Sequence, residues 1–420
     1  MQEFEGPLGY PEKERELKPL NAAVCSTPWV RVPPPMYGGI EALVDDFTSH
    51  YLEQRIRYFL YTVGGSEEER SGGEVGHFFD HELYKDIQKP GASVKEAIHL
   101  AEFYKELDRR IKNGEHFDII HHHLMFMGGL CAFFRGQEIP HLITMHGPID
   151  DDYDIQFLNS IASQPGIYFN SISDNQREHL PNLPWIGTVH NGISCERFEF
   201  SPEHKGYLLN IGRINKDKGQ KTAIEVAEKC KKTLILAGNI ENNDYFNHEI
   251  APRAQVRIDK MGGGFTNLEW LDLVLKNAKC PEIIYFGEAN FEEKVQLYKY
   301  AHAFINPIAW EEPFGLVMPE AMICGTPVIS FARGAAPEII VDGKTGFLVP
   351  FSYDEHHRGV VDPSRLIEAV GKIDQIDRRA CHEDVLKRFS AKRVAEGYRE
   401  VYDLILKKEE ERKTMGGYVI

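Results

Sequence analysis

The sequence lacks the features that mark secreted, membrane-spanning and nucleic-acid-binding proteins. Its seven cysteines are scattered singly with no C-x-x-C pair, so we expect reduced thiols and a cytoplasmic location. The start of the chain is polar and has no apolar core of a signal peptide. The longest uncharged apolar run, 124–134, is about half of the roughly 20 residues that a membrane span needs. The net charge of -16 argues against a general affinity for nucleic acid.

Length and patterning favour an α/β protein with more than one domain. At roughly 150 residues a domain, the 420 residues allow two to three, and such a chain buries a core without disulfides or a structural metal. Short β-branched or aromatic runs alternate with amphipathic stretches, beginning with a strand at 21–26 and a helix at 39–50. This alternation predicts parallel sheets with helices on both faces. Further strands are predicted at 57–65, 117–123, 141–147, 168–173, 187–192, 207–212, 233–238, 282–287, 303–307, 327–331 and 347–349.

A single break in this alternation divides the chain. The segment 195–206 has no periodicity, so we predict an N-terminal domain at 1–198 and a C-terminal domain at 199–389. The tail predicts a helix that Ser390 can cap. Its apolar face consists of Val394, Tyr398, Val401, Tyr402 and Ile405.

A basic loop follows the first predicted strand of the second half. After Gly212 the string R-I-N-K-D-K-G places Arg213 and Lys218 on one loop that leads into a helix. In open α/β sheets ligands bind at the carboxyl ends of strands. The planar fork of arginine and the point charge of lysine together suit a diphosphate. For this segment alone, a solvated basic loop is an equally good interpretation.

Two glutamates lie eight residues apart in the segment 311–327. We predict that Glu312 ends a strand-like run and that Glu320 lies at the start of a helix, because Pro319 is tolerated in a helix's first turn. Carboxylates accept paired hydrogen bonds and would suit the hydroxyls of a ribose and a hexose. Taken singly, Glu320 could merely complement the helix dipole and Glu312 could be solvated.

The complete string E-P-F-G-L-V-M-P-E-A-M-I-C-G-T-P-V-I resembles the donor-site motif of retaining GT-B glycosyltransferases of family 4, in which two glutamates flank seven residues. Strings W-x-E-P-F-G-L-V and I-S-D-x-Q-R resemble the subgroup labelled UDP-glucose:tetrahydrobiopterin glucosyltransferase-like. Other motifs match in the family's order. They are P-P-P-M-Y-G-G-I-E (33–41), F-D-I-I-H-H-H (117–123), I-T-M-H-G (143–147), S-I-S-D-N-Q-R (171–177), V-H-N-G-I (189–193), I-G-R-I-N-K-D-K-G (211–219) and D-G-K-T-G-F-L-V (342–349).

The resemblance implies a fold and a reaction. The fold would be GT-B, with two Rossmann-like domains facing across a cleft and the C-terminal helix, within 390–420, crossing back onto the N-terminal domain. The reaction would be retaining transfer of a hexosyl group from a nucleotide-sugar, a UDP-sugar being favoured, to an acceptor hydroxyl. The acceptor would be a small molecule, a glycan or a lipid-linked group. We expect no required cofactor and no metal site, with Mg²⁺ compatible but not essential. A homodimer and a peripheral membrane contact are compatible with the sequence.

The resemblance also implies residue roles. Arg213 and Lys218 would bind the leaving diphosphate, Glu320 the ribose and Glu312 the donor sugar. His123 would face that sugar, and it completes the predicted catalytic set with Arg213, Lys218 and Glu312. Further donor-binding residues would be Gly38, Gly39, Phe314, Gly315, Leu316 and Val317. His146 and Asp150 are predicted on the acceptor side.

Several alternatives deserve weighing. Zinc at His121–His123 is disfavoured because neighbouring strand residues point to opposite faces. The acidic run 150–154 contains D-x-D patterns that would suit Mg²⁺ on a one-domain transferase, but an acidic solvated loop fits better. No P-loop is present to support an NTPase. A nucleotide-sugar-binding protein without transfer activity, an epimerase or a phosphorylase on the same scaffold are the functional alternatives. The segment 254–280 has no assigned role, although Trp270, Leu271, Val274 and Leu275 predict a packed helix face.

Overall fold

The structure is a computed structural model of an α/β protein with two separate sheets. It describes residues 17–35, 38–66, 70–87, 89–135, 138–149, 151–178, 180–261, 265–278, 281–353 and 359–416.

The first sheet has seven parallel strands in the order β3-β2-β1-β4-β5-β6-β7. The strands are β1 Leu20–Cys25, β2 Ile56–Thr62, β3 Gly73–His77, β4 Ile119–His122, β5 His141–Met145, β6 Ile167–Ser171 and β7 Trp185–Thr188. The helices of this domain are α1 Gly39–Ser49, α2 Ala92–Lys112, α3 Met125–Arg135, α4 Asp152–Ala162 and α5 Asp174–Glu178.

The second sheet repeats this plan in the order β10-β11-β9-β8-β12-β13-β14. The strands are β8 Leu208–Ile211, β9 Leu234–Ala237, β10 Val256–Arg257, β11 Ile283–Gly287, β12 Ala303–Asn306, β13 Val328–Phe331 and β14 Gly346–Val349, followed by the hairpin β15 Ser352–Tyr353 and β16 Gly359–Val360. The helices are α6 Gln220–Cys230, α7 Asn243–Tyr245, α8 Asn267–Asn277, α9 Phe291–Lys299, α10 Val317–Ile323, α11 Ala336–Ile339, α12 Ser364–Val370, α13 Arg378–Arg388 and α14 Ala391–Gly416.

Both sheets are parallel and buried on two faces, which is why their strands read as continuous apolar runs. All four residues of β9 are fully buried, for example. The predicted α/β class and two Rossmann-like sheets are confirmed. The predicted helix around Trp270 is also confirmed as α8, where Leu271 is buried in the hydrophobic core of the second domain.

One local prediction was wrong, and one helix begins two residues earlier than predicted, with Glu320 still in its first turn as expected. The strand-like run that was expected to end at Glu312 stops at Asn306, because Pro307 follows and cannot continue the ladder. Glu312 therefore lies in a loop. The helix expected to open at Pro319 begins at Val317, so Pro319 takes the third helical position, where its missing N–H costs no intrahelical bond.

The chain crosses between the domains at two points, which are hydrogen-bonded to each other. Ile193 donates its N–H to Phe389 O at 2.9 Å, and Ala391 donates its N–H to Ile193 O at 2.9 Å. After the second crossing, α14 packs onto the first domain, as predicted. The hydroxyls of Tyr402 and Tyr51 lie 2.8 Å apart there.

Candidate active site at the domain cleft

The basic loop after β8 is shaped by its own side chains. The Asn215 side chain caps the 3₁₀ turn Lys216–Lys218 by accepting the Lys218 N–H at 3.1 Å. Gly219 ends the turn with φ 71°, and a Cβ at this position would lie 2.4 Å from Pro307 O. Only glycine fits this close approach without strain. The loop is thereby held beside the segment that follows β12.

Lys218 and Glu312 form an ion pair within the cleft. The Lys218 Nζ contacts Glu312 Oε2, and the two side chains are 18% and 17% exposed. The same Nζ lies 5.2 Å from the centre of the Trp310 ring. Partial burial reduces solvent screening, so the cation and the carboxylate interact more strongly than a surface pair would. The structure thus brings two of the predicted site residues, Lys218 and Glu312, side by side as a cation and a carboxylate.

Arg213 lies on the same loop but has a different partner. Its Nη1 donates to Glu241, whose other oxygen accepts from the Asn215 side chain. The arginine side chain is 43% exposed, and its carbonyl oxygen accepts from Gln220 Nε2 at 2.9 Å. Glu241 therefore holds Arg213 and Asn215 together at the carboxyl end of the strands.

The two predicted glutamates have separate surroundings. Glu320 is buried on α10, where Oε1 accepts from Lys294 Nζ at 2.7 Å and Oε2 accepts from the Tyr298 hydroxyl at 3.1 Å. Both of its partners come from α9. Glu312 pairs instead with Lys218, so the structure gives each glutamate its own lysine.

The loop between them presents backbone rather than side chains. The Phe314 ring is 2% exposed and packs against His190 and Phe389, with ring centres 6.0 and 5.8 Å away. The ring that the resemblance placed at the donor is therefore packed between the two domains' segments at His190 and Phe389. Gly315, Leu316 and Val317 are half-buried at the start of α10.

The carboxyl end of β13 supports Glu312 from behind. Gly334 has φ 54°, and a Cβ there would lie 2.4 Å from Glu312 O and 2.5 Å from Glu312 N. The neighbouring Ala335 N–H donates to Glu312 O at 3.0 Å. Glycine at 334 therefore permits the contact that fixes the backbone of Glu312.

Two histidines of the first domain, His123 and His146, form a pair at the carboxyl ends of β4 and β5. His123 Nδ1 and His146 Nε2 are 2.8 Å apart, and the His123 ring is 1% exposed. Burial lowers the pKa of His123 well below its usual value, so the ring is neutral at pH 7. Its Nε2 is buried and has no hydrogen-bond partner within the described ranges. This pair was predicted on the donor and acceptor sides respectively.

The histidine triplet diverges as the strand geometry predicted. His121 bonds Tyr402 and Thr144, each at 2.8 Å, whereas His122 faces the opposite side and bonds the Tyr104 hydroxyl at 3.0 Å. The three rings therefore do not converge on one point.

Among the described residues, a separate group has ligand atoms within 4.8 Å of one another: His204, His302 and Asp374. His204 and His302 precede β8 and β12. They therefore lie at the amino ends of these strands, whereas the basic loop lies at the carboxyl end of β8.

The glycine-rich loop of the first domain ends at α1. Gly38 is the N-cap residue of α1, which has no side-chain cap, and Gly39 is exposed. Glu41, quoted in the motif but given no role, is buried and bonded to Thr27. Burial raises the pKa of Glu41. Asp150, predicted on the acceptor side, lies outside the described residues.

A cavity of about 290 Å³ opens between the domains beside Glu312. The first domain lines it with Pro148, Ile149, Asn175 and Gln176, and the second domain with Ala309, Trp310, Glu311, Pro313 and Arg333. Its walls are largely apolar, with polar groups from both domains at the edges. Such a cavity suits a small ring-shaped ligand bearing a few polar groups.

Several of these residues escaped the sequence interpretation. Glu241 follows the glycine that ends β9, so its position after a strand end was a usable signal. Trp310 and Gln176 stand inside quoted motifs, but nothing in their spacing shows that they face a cavity. Lys294 lies on an ordinary amphipathic helix and gave no signal.

Across the described ranges, none of the helices combines the length and the apolar character that a bilayer crossing requires. The charged residues of α14, one of the long helices, illustrate the reason.

Comparison with known proteins gives two family matches. Residues 37–197 match the model described as Glycosyltransferase Family 4, and residues 196–360 match the model described as Glycosyl transferases group 1. The chain is 23% identical to the alpha-maltose-1-phosphate synthase of Mycolicibacterium smegmatis over 412 residues, covering 88% of this chain and 96% of the relative.

Two further proteins are similar. The chain is 22% identical to the N-acetyl-alpha-D-glucosaminyl L-malate synthase of Bacillus anthracis over 315 residues, covering 71% of this chain and 78% of the relative. Anabaena Alr3699/HepE, solved in complex with UDP and glucose, superposes with a TM-score of 0.62 at 15% identity, covering 91% of this chain and 99% of that one. The protein is therefore a glycosyltransferase of the GT-B fold, with a family 4 domain followed by a group 1 domain.

Proposed function

We propose that the protein transfers a hexosyl group from a nucleotide-sugar, with a UDP-sugar favoured, to an acceptor hydroxyl with retention at the anomeric carbon. The observation that carries this proposal is the Lys218–Glu312 pair beside the interdomain cavity. A bound diphosphate would take the lysine, and the freed carboxylate would take hydroxyls of the donor sugar. The UDP and glucose bound to Anabaena Alr3699/HepE, which shares the fold, support a UDP-sugar.

The proposed step breaks the bond between the anomeric carbon and the leaving phosphate oxygen. Negative charge grows on that oxygen, and Lys218 and Arg213 stabilise it once the diphosphate has replaced Glu312 and Glu241 as their partners. The acceptor hydroxyl attacks from the same face, and its proton passes to the departing phosphate oxygen. The new bond joins the acceptor oxygen to the anomeric carbon. Because lysine and arginine supply the positive charge, we propose that no metal is required.

The neutral histidines suit the first-domain side of this reaction. With its pKa lowered by burial, His123 adds no positive charge next to the oxocarbenium-like carbon. A neutral imidazole can instead accept or donate one hydrogen bond to a sugar hydroxyl. We therefore propose that His123 orients the donor sugar and that His146 orients His123.

We assign the cavity to the acceptor. It is bounded by both domains, it adjoins Glu312, and its roughly single-ring size would exclude a thick polymer. The apolar face of Trp310 can stack on a ring-shaped acceptor, whereas the half-buried Asn175 side chain can bond a hydroxyl. Domain closure over the acceptor would exclude water and so suppress hydrolysis of the donor.

A donor and acceptor screen tests the proposal. The protein is incubated with UDP-glucose, UDP-N-acetylglucosamine, GDP-mannose and ADP-glucose, each with pooled small hydroxylated acceptors, and products are read by mass spectrometry. We expect a mass increase of one hexosyl unit and stoichiometric nucleoside diphosphate from at least one donor. The anomeric configuration of the product, read by NMR, must match that of the donor. Inversion would contradict the retaining mechanism.

The alternative functions give different products. A binding protein without transfer activity would retain the nucleotide-sugar unchanged, and an epimerase would change the sugar without releasing nucleotide. Either result with every donor would contradict the proposal.

A further inference from the structure

Glu338 joins the two domains at the edge of the cleft. It lies on α11 of the second domain, and its carboxylate accepts the backbone N–H groups of Asp174 and Asn175, each at 2.8 Å. These residues begin α5 of the first domain. His190 Nε2 lies 2.7 Å from the same carboxylate, whose side chain is 19% exposed. A side chain of one domain thus caps a helix of the other.

On the first-domain side, hydrogen bonds continue from α5 to the histidine pair. Gln176 is 3% exposed and donates from Nε2 to Met145 O at 3.0 Å and to Gly147 O at 2.7 Å. These two carbonyls flank His146, which bonds His123. Gln176 also lines the cavity. The position of α5 therefore fixes the first-domain wall of the cavity.

On the second-domain side, α11 is tied to Glu312 and to the domain crossing. The Ala335 N–H, one residue before α11, donates to Glu312 O at 3.0 Å. Arg388 donates to Glu338 O at 2.7 Å and to Ile339 O at 2.6 Å. Arg388 immediately precedes Phe389, whose carbonyl oxygen accepts the Ile193 N–H where the chain crosses between the domains. α11 is thus anchored to the wall of the cavity that carries Glu312.

We propose that Glu338 is a positioning residue that holds the two walls of the cavity at the separation needed for transfer. It acts through α5 and α11 rather than on the reacting atoms. Two backbone N–H groups donate to one carboxylate, and such charge-assisted bonds are stronger than neutral ones. The proposal rests on the proposed function only in using hexosyl transfer as one of its two readouts.

Hydrogen exchange tests the contact without any assay of activity. We compare Glu338→Ala and Glu338→Gln with wild type, and use Glu368→Ala, an exposed glutamate on α12 of the same domain, as the control. Amides at 174 and 175 should exchange about tenfold faster or more in Glu338→Ala, because two charge-assisted bonds are lost. Glu338→Gln keeps one acceptor oxygen and should be intermediate. Unchanged exchange in Glu338→Ala would overturn the proposal.

Transfer kinetics test the consequence. Glu338→Ala should lower kcat about tenfold or more and raise the share of donor lost to water, because the cavity no longer closes correctly. The affinity for free UDP should stay within twofold of wild type, because the residues assigned to the diphosphate and the ribose, Arg213, Lys218 and Glu320, lie in the second domain. Glu338→Gln should recover part of kcat, and Glu368→Ala should match wild type.

The outcomes separate the two proposals. If UDP affinity falls by the same factor as kcat, Glu338 merely supports the second domain and the positioning role is wrong. Normal kcat in Glu338→Ala likewise overturns it. If wild type transfers from no donor but exchange at 174 and 175 responds to Glu338→Ala, the proposed reaction fails while the interdomain contact stands.

Discussion

The Lys218 ammonium and the Glu312 carboxylate neutralise each other in the cleft, each less than one-fifth exposed. Removing either partner leaves the other as a partly buried unpaired charge. A ligand that brings both a phosphate and a set of hydroxyls can replace both halves of the pair at once. The pair therefore favours a complete donor over either fragment, and the following mutations exploit this relationship.

The basic loop is tested by removing its charges. We expect Lys218→Ala and Arg213→Ala each to lower kcat by about 100-fold or more, on the scale of losing one transition-state donor. Lys221→Ala is the matched control, because Lys221 lies on the following helix and pairs with Glu249 on the surface. Steady-state kinetics measure kcat and KM for each variant. An effect confined to KM would mean that these residues bind only the ground state.

The two glutamates should separate in nucleotide binding. Glu320→Ala should weaken the binding of free UDP by roughly 1.5–3 kcal/mol, through loss of charge-assisted bonds to the ribose. Glu312→Ala should not weaken that affinity, because it frees Lys218 for the diphosphate, yet it should abolish most transfer, because the hexose is absent from UDP. Calorimetry and a turnover assay measure the two effects. Equal losses of UDP affinity would contradict the assignment of roles.

Glu320 needs its own stability control, because its carboxylate neutralises Lys294 in the structure. Glu320→Gln retains the hydrogen-bonding shape and should fold with a melting temperature near that of wild type. If its UDP affinity equals that of wild type, the ribose assignment is wrong.

Chelation tests the proposed independence from metal. Transfer should largely survive EDTA, because Lys218 and Arg213 supply the positive charge that a metal would provide. Activity is measured before and after dialysis and after addition of Mg²⁺ or Mn²⁺. Complete loss that either ion restores would revive the metal interpretation of the acidic run 150–154.

Gly334 should tolerate no side chain. Gly334→Ala places a methyl group where Glu312 N and O lie within 2.5 Å, so we expect the Glu312 backbone to shift and kcat to fall about tenfold or more. Gly343→Ala is a matched control, because Gly343 also has positive φ, at 72°, but its added Cβ would meet open space. Both variants carry the same backbone strain. Equal activity in the two would show that the contact with Glu312 is unimportant.

Buried histidines should make the fold sensitive to acid. Burial lowers the pKa of His99 to about 4 and that of His141 to about 3. At pH values between these and about 6.5, both side chains are neutral in the folded protein but protonated in the unfolded chain. Their protonation costs no stability above about pH 6.5, and below that pH the loss grows until it levels off beneath the folded pKa. Each should cost roughly 2 kcal/mol at pH 5 relative to pH 7.5.

Urea unfolding at the two pH values measures this loss. His99→Gln should flatten the dependence, whereas His116→Gln should leave it unchanged because His116 is exposed. A pH dependence that is the same in both variants would contradict the assignment to His99.

Much of the architecture could be predicted from the chain because buried parallel strands leave continuous apolar runs. Within the two large sheets, the strands that were not predicted are β3 and β10, which lie at outer edges, where one side is exposed and the apolar signal fades. The end of β12 and the start of α10 were misplaced because Pro307 and Pro319 lie within one turn of these ends, where a sequence pattern locates boundaries least well.

The candidate site was predictable in its residues but not in its pairing. Strand-end position and motif spacing brought out Lys218 and Glu312, yet no spacing shows that they bond each other. Glu241 and Glu338 were missed because their roles depend on contacts between segments that are far apart in the chain. Such contacts arise only when the domains are packed together.

The path of the chain also determines the order in which the protein can be built. Six residues of α14 belong to the same apolar cluster as β1 and α1, and the cluster is incomplete without them. A ribosome releases the β1 segment early but supplies α14 only after the whole second domain has emerged. Domains made in sequence usually fold in that order. Here the first domain is synthesised first, yet one of its apolar faces stays uncovered until α14 is made.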